Sequence, residues 1–225
     1  MSGSTATAPR SESYGQGGLS LLDRFGVYLS RRAILRRLPA REGLHALDLG
    51  CGYRAMLLQS LLTHLESGVG VDLRIDPEVK NVPRLSFVED GLESALPALE
   101  DDRFDVVLFI SVLEHLADPL AALEHCRRVL RPGGTLFVNV PTWRGKFFLE
   151  LSAFRLGTSP AVEMDDHKMY YDKRDLWPLL VRAGFRPSRL RLRYHKFSLN
   201  LFATAQKTPA PPDSAARSPH GALSR

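Results

Sequence analysis

The sequence predicts an α/β fold: a doubly wound, mostly parallel seven-stranded sheet with an antiparallel hairpin at its C-terminal end. Three observations carry that expectation. Short apolar runs alternate with helical apolar stripes through the middle of the chain, the mark of repeated β-α units. One run, Phe104–Ile110, is nearly all apolar, as a strand must be when helices cover both of its faces. Two late runs, Arg189–Tyr194 and Ser198–Ala205, lie so close together that an antiparallel pair is the natural way to join them.

At the N-terminal side, Leu21, Leu22, Phe25, Tyr28, Leu29, Leu35 and Leu38 form one apolar stripe, with Arg24, Arg31, Arg32, Arg36 and Arg37 around it, which predicts an amphipathic helix. A strand over His45–Leu49 runs into Gly50-Cys51-Gly52, and a helix is expected from about Ala55 to Glu66. Strands follow over Gly68–Leu73, ending on Asp72, over Arg84–Val88, ending on Glu89 and Asp90, and over Phe104–Ile110. Asp118 then offers an N-cap and Pro119 a pre-set first helical residue. Leu120, Leu123, Cys126, Val129 and Leu130 are the buried stripe of that helix, and Pro132-Gly133-Gly134 is expected to stop it. Thr135–Val140 reads as the fifth strand and Asp172–Ala183 as a helix ended by Gly184, before the closing hairpin.

Composition narrows the class. With 225 residues, 44% hydrophobic and 24% charged, the chain resembles one ordinary globular domain. No apolar run approaches the roughly 20 residues of a membrane span. Met1–Gly18 has no apolar core of a secretory signal, and two cysteines, Cys51 and Cys126, make neither a disulfide framework nor a four-ligand zinc site. A cytoplasmic enzyme is the expectation. Met1–Gly18 and the Pro-rich Thr208–Arg225 read as disordered ends, which leaves residues 19–207 as a single domain. The net charge of +5 conceals two opposed stretches. Glu89–Asp105 holds seven acids against Arg103; Arg182–Lys196 holds six basic residues and no acid. Because its arginines alternate with Leu190 and Leu192, the basic stretch reads as the wet face of a strand rather than a nucleic-acid surface.

Ligands of such sheets sit beyond the carboxyl ends of the strands, so the polar residues there are the informative ones. They are Asp48 with Gly50-Cys51-Gly52, then Asp72, Asp90, Ser111 with Glu114-His115, and Pro141-Thr142. Gly50 and Gly52 permit a tight turn and close approach of backbone to a ligand. Asp72 stands 20 residues beyond Gly52, the distance at which an acid closing the second strand accepts from a ribose diol. A nucleoside-containing ligand is implied, and the glycines alone fit either NAD or S-adenosylmethionine. Asp48 suits the ammonium and sulfonium side of the latter and not a pyrophosphate. Glu89 and Asp90 supply acceptors for an adenine amino group.

Five segments in order carry a resemblance: Ala46-Leu47-Asp48-Leu49-Gly50-Cys51-Gly52, Val69-Gly70-Val71-Asp72, Phe104-Asp105-Val106-Val107, Leu113-Glu114-His115-Leu116 and Leu130-Arg131-Pro132-Gly133-Gly134-Thr135-Leu136. Together they resemble the class I S-adenosylmethionine-dependent methyltransferases, in particular the small-molecule enzymes of the quinone-biosynthesis kind. The resemblance implies S-adenosylmethionine as cofactor, with Asp48, Gly50 and Gly52 lining its methionine part. It further implies Asp72 on the ribose, Leu73 against the adenine, Asp90 with Gly91 at the adenine amino edge, and Ser111 beside the transferable methyl group. Most members have a glycine where this chain has Arg54, which implies either that Arg54 turns outward or that it pairs with the cofactor carboxylate. The related quinone enzymes carry an acid where this chain has Ser111, so no metal is expected.

Methyl transfer to a small-molecule acceptor is therefore the expected activity, with O-methylation favoured. His115, just past the fourth strand, is the first candidate base, and His167 a second on the substrate side. Trp143, Phe147, Phe148, Leu151 and Phe154 recur at helical spacing between basic residues, which suggests an acceptor lid for an amphipathic or anionic molecule. Two alternatives stand beside this: a catalytically silent cofactor-binding or partner protein, suggested by Arg54, and an NAD-dependent oxidoreductase, disfavoured because no separate catalytic domain follows.

Overall fold

The computed structural model describes residues 13–16, 18, 21–145 and 169–210. Most of the two expected terminal segments, His167 and the greater part of the expected lid lie outside the described residues. Helix α1 (Leu21–Leu35) precedes strand β1 (Leu44–Leu49), helix α2 (Met56–Ser60) and strand β2 (Leu65–Asp72). Strand β3 (Leu85–Glu89), helix α3 (Leu92–Ala98), strand β4 (Phe104–Ile110), helix α4 (Pro119–Val129) and strand β5 (Leu130–Pro141) follow. Helix α5 (Lys173–Arg182) leads into the hairpin of strands β6 (Leu190–His195) and β7 (Asn200–Gln206). The sheet order is β3-β2-β1-β4-β5-β7-β6. Strands β1 to β5 are mutually parallel, and β7 is antiparallel to both β5 and β6.

Alternation along the strands divides the core in two. Leu47, Leu49, Val107, Phe109, Leu136 and Val138 pack against Leu96 of α3, Leu123 and Cys126 of α4, and Leu176 and Leu180 of α5. Leu44, Ala46, Val106, Leu108 and Phe137, one residue out of step, pack against Ile34 of α1 and Leu57 and Leu58 of α2. Each fully buried Leu, Val, Ile or Phe among them contributes about 1.5–3 kcal/mol, so both faces hold the sheet in place. The expected apolar character of Phe104–Ile110 is explained: its residues serve both cores. Asp48 continues the row of Leu44 and Ala46, which puts its side chain on the α1–α2 side at the carboxyl end of the sheet.

Three local expectations need correction. The helix read over Ala55–Glu66 is a single short turn over Met56–Ser60 and a 3₁₀ turn over Leu62–His64. The strand begins early because buried Leu65 pairs with Leu44. Pro132-Gly133-Gly134 lies not between helix and strand but within β5. The β4–β5 register passes from Phe104↔Leu130 to Val106↔Thr135, so the extra residues loop out as a bulge with Gly133 at φ +83°. Helix α3 was not expected at all; Gly91 precedes it and the Asp90 carboxylate accepts from Gly91 N and Ser94 Oγ, both at 2.7 Å. The N-cap at Asp118 is as read, accepting from Ala121 N at 3.0 Å.

Candidate active site

The strand order reverses between β1 and β4, and a ligand crevice belongs at that point. A cleft of about 480 Å³ opens there. Its walls come from the end of β1 and its glycine turn, from Ser111 and His115 after β4, from α1, and from the turn between β6 and β7.

Asp48 is the most exceptional group in it. The residue is 2% exposed, and its Oδ2 has no hydrogen-bond partner among the described residues. Burial, and secondarily the charge of Asp72, push its carboxyl up to about 7. A buried polar atom without a partner costs on the order of 1–3 kcal/mol, which a cationic ligand entering the cleft would recover. The thiol of neighbouring Cys51 is pushed up by the same burial and by both carboxylates, so it is inert as a nucleophile.

The turn itself requires its glycines. Gly50 and Gly52 have φ of +70° and +76°, and a Cβ at Gly50 would collide with Val112. Gly50 N and Cys51 N donate to Val71 O at 2.8 and 3.2 Å. Gly52 N donates to Asp72 Oδ2 at 2.7 Å, while Leu73 N donates to Oδ1 at 2.8 Å. Asp72 therefore clamps the turn from the next strand. A carboxylate offers about four acceptor positions, so roughly two remain for hydroxyl donors.

The candidate residues divide by position. Asp48, Gly50, Gly52, Ser111 and His115 line the one cleft. Asp72, Leu73, Asp90 and Gly91 stand beyond its lining, at the ends of β2 and β3, with Asp72 tied to the cleft through Gly52. Ser111 holds a left-handed backbone at φ +58°, its N–H donating to Asn139 O at 2.7 Å. Arg54 turns outward: its side chain is 62% exposed and its Nε lies 3.5 Å from Asp76 Oδ2. Among the described residues no group of three or more His, Cys, Asp or Glu is placed to hold a metal ion.

Two contributions are absent from the sequence reading. Ser13 and Tyr14 bridge the turns after β1 and β2: Ser13 Oγ accepts from Arg74 N at 2.7 Å, and Tyr14 O from Tyr53 N at 2.9 Å. Nothing in a Gly/Ser-rich stretch signals such a docked segment. Lys196, counted above with a solvated basic run, enters the cleft instead. Its signal was available: His195-Lys196-Phe197-Ser198 joins two strands tightly without a single glycine or asparagine.

Fold and cleft together define an α/β protein with a buried carboxylate facing the crevice at the carboxyl end of its sheet. Residues 22–189 match a family model described as a methyltransferase domain, and the chain belongs to that family, the class I methyltransferases whose cofactor is S-adenosylmethionine. A ubiquinone biosynthesis O-methyltransferase of Cereibacter sphaeroides is 36% identical over 116 residues, 48% of this chain and 45% of that protein. The chain thus spans less than half the length of the curated relatives it matches. Among solved structures, an S-adenosylmethionine-dependent methyltransferase from Archaeoglobus fulgidus superposes with a TM-score of 0.60 at 16% identity, covering 84% of this chain and 100% of the other. The [4+2]-cyclase SpnF superposes at 0.63 with 17% identity, covering 90% and 88%. Both likenesses establish the fold.

Proposed function

We propose that this protein transfers the methyl group of S-adenosylmethionine to a hydroxyl oxygen of an amphipathic small molecule. The observation that carries the reading is the unpartnered Asp48 carboxylate beside the glycine turn: a buried anion facing a cleft calls for a cation. In this reading Asp48 receives the ammonium and sulfonium side of the cofactor, and Gly50 and Gly52 let it approach the backbone. Asp72 accepts from the ribose hydroxyls with its remaining lone pairs. Leu73, Asp90 and Gly91 border the adenine, and Ser111 borders the reacting end. The cofactor, when bound, supplies an electrophilic methyl carbon with a neutral thioether as leaving group. The chain contributes proximity and exclusion of water.

An oxygen acceptor is favoured by the ubiquinone O-methyltransferase relatives. The described wall bears more acid than base, with Asp23, Asp48 and Glu114 opposite Lys196 and an Arg54 that is paired to Asp76. That balance favours an uncharged acceptor over the anionic one suggested by the basic edges of the expected lid. In this reading His115, which lines the cleft, is the first candidate to assist at the acceptor hydroxyl; His167, the second candidate, lies outside the described residues. We place residues 19–207 as one methyltransferase unit and the protein in the cytoplasm, in keeping with its free Cys51 and Cys126. No helix among the described residues is long and apolar enough to cross a membrane.

Calorimetric titration tests the cofactor assignment. S-adenosylmethionine and S-adenosylhomocysteine are expected to bind and NADH is not; NADH binding alone would overturn it. The likeness to SpnF favours a second reading, in which the fold holds the cofactor and promotes a different reaction. Transfer of tritium from labelled cofactor to any extracted metabolite decides between them.

A further inference from the structure

The turn joining β6 to β7 is strained without help from glycine. Lys196, Phe197 and Ser198 have φ of +48°, +57° and +68°, three consecutive residues in the left-handed region. The surroundings hold it there. Thr142 Oγ1 donates to Ser198 O at 2.8 Å, Thr142 N to Leu199 O at 3.0 Å, and Leu199 N to Lys196 O at 3.1 Å. This pinned geometry separates adjacent side chains: Phe197 is 87% exposed at the mouth of the cleft, whereas Lys196 enters it. Helix α1 runs directly past the amine, since a Cβ at Gly26 would lie 3.5 Å from Nζ. On α1, Phe25 is 48% exposed and lines the same mouth as Phe197.

We propose that Lys196 faces the acceptor and takes the proton of its hydroxyl group, the acceptor being an uncharged amphipathic phenol or alcohol whose apolar part lies along Phe25 and Phe197. The inference rests on the methyl-transfer reading. In the transfer the acceptor's O–H bond breaks and its proton goes to the Nζ lone pair. An oxygen electron pair forms the bond to carbon, and the carbon–sulfur pair leaves with sulfur. Nζ must be neutral to accept, and burial lowers Lys196 to about 8, against the opposing charges of Glu114 and Asp23. Those acids flank it from the segment after β4 and from α1; His195, beside it on β6, is held neutral, lowered to about 4 by burial and by the Lys196 and Arg37 charges. Five more titratable groups line the cleft: Asp48 from β1, Cys51 and Arg54 from the turn beyond it, His115 from the segment after β4 and Tyr14 from the segment before α1. A base near neutrality is what general catalysis at a hydroxyl needs.

The test is optical and needs no turnover. Ortho-hexyl-para-chlorophenol absorbs differently as phenol and phenolate; one pH unit below its own pKa, which lies well above that of Lys196 so that Nζ is largely neutral, only about a tenth of it is ionised in solution. In the presence of the full chain saturated with S-adenosylhomocysteine, more than half of the bound probe should be phenolate. Parent para-chlorophenol should bind at least fivefold more weakly. Lys196→Met should return the bound probe to the solution ratio while leaving the S-adenosylhomocysteine affinity within twofold. If that variant does not fold, mapped acetylation of Lys196 in the wild-type chain must be slowed at least fivefold by the probe. A probe that stays protonated, fails to bind, ionises equally in Lys196→Met, or gives no protection overturns the assignment. Failure of S-adenosylhomocysteine to bind, with the probe still ionised, would instead sink the methyl-transfer reading.

Discussion

Two buried aspartates sit on adjacent strands of this sheet and have opposite fates. Asp105, at the start of β4, is 1% exposed, and its carboxylate accepts from His45 N at 2.8 Å, from Arg131 Nη1 at 3.1 Å and from Arg41. Asp48, near the end of β1, is 2% exposed and has an oxygen with no partner among the described residues. The sheet explains the contrast. At the amino ends of the strands the chain closes on itself, and every acceptor position can be met from within. At the carboxyl ends the strand order reverses and neighbouring connections diverge, so a group there can be met only by something that enters. A buried charge with donors is architecture; a buried charge without them is a binding site in waiting.

Substitutions at the two positions should separate along that line. The largest expected effect is at Asp105. Asp105→Asn removes the charge facing two arginines and replaces one of the two accepting oxygens with an amide donor, and should cost about 2–4 kcal/mol in urea unfolding, less than for a fully buried pair because both arginines are partly exposed. Cofactor affinity of the folded fraction should not change. Asp48→Asn should do the reverse, weakening S-adenosylmethionine binding about 10–100-fold while stabilising the ligand-free protein. The sign follows from its raised value, about 7 when folded against 3.8 as an ordinary aspartate. The native state holds this proton more tightly than the unfolded chain does, so stability falls as pH rises from about 4 through 7, and the loss is complete above that. Melting curves across this window should show the decline in wild type and its absence in Asp48→Asn. An Asn variant that binds normally would move Asp48 into the same class as Asp105. The smallest effect belongs to Arg54→Gly, at twofold or less in cofactor affinity, because the exposed guanidinium already pairs with Asp76. A tenfold loss would mean that Arg54 abandons Asp76 for the cofactor carboxylate.

What could be read from the sequence was local. The nearly all-apolar Phe104–Ile110, the cap at Asp118, the glycine turn at Gly50–Gly52 and the spacing to Asp72 all depend on residues a few positions apart or on one strand-turn-helix unit. The early start of β2 at Leu65 and the bulge at Pro132–Gly134 depend on partners Leu44 and Phe104, distant in sequence, so periodicity could not reveal them. The proposed cofactor end of the cleft, with Asp48 and the glycine turn, could be suggested from sequence because it is built from one continuous unit. Its acceptor end is assembled from α1, the segment after β4 and the β6–β7 turn, and Lys196 accordingly passed for a solvent-facing cation.

By itself, then, the order of residues determined the class of sheet, the glycine turn proposed to hold the cofactor and the acids beside that turn, since hydrophobic period and backbone freedom act over short stretches of chain. Only the folded molecule decided which of those acids would be left unmet, which arginine would turn away and which lysine would enter the cleft. Those outcomes depend on burial and on partners far apart in the chain, and both exist only once the sheet has brought its edges together.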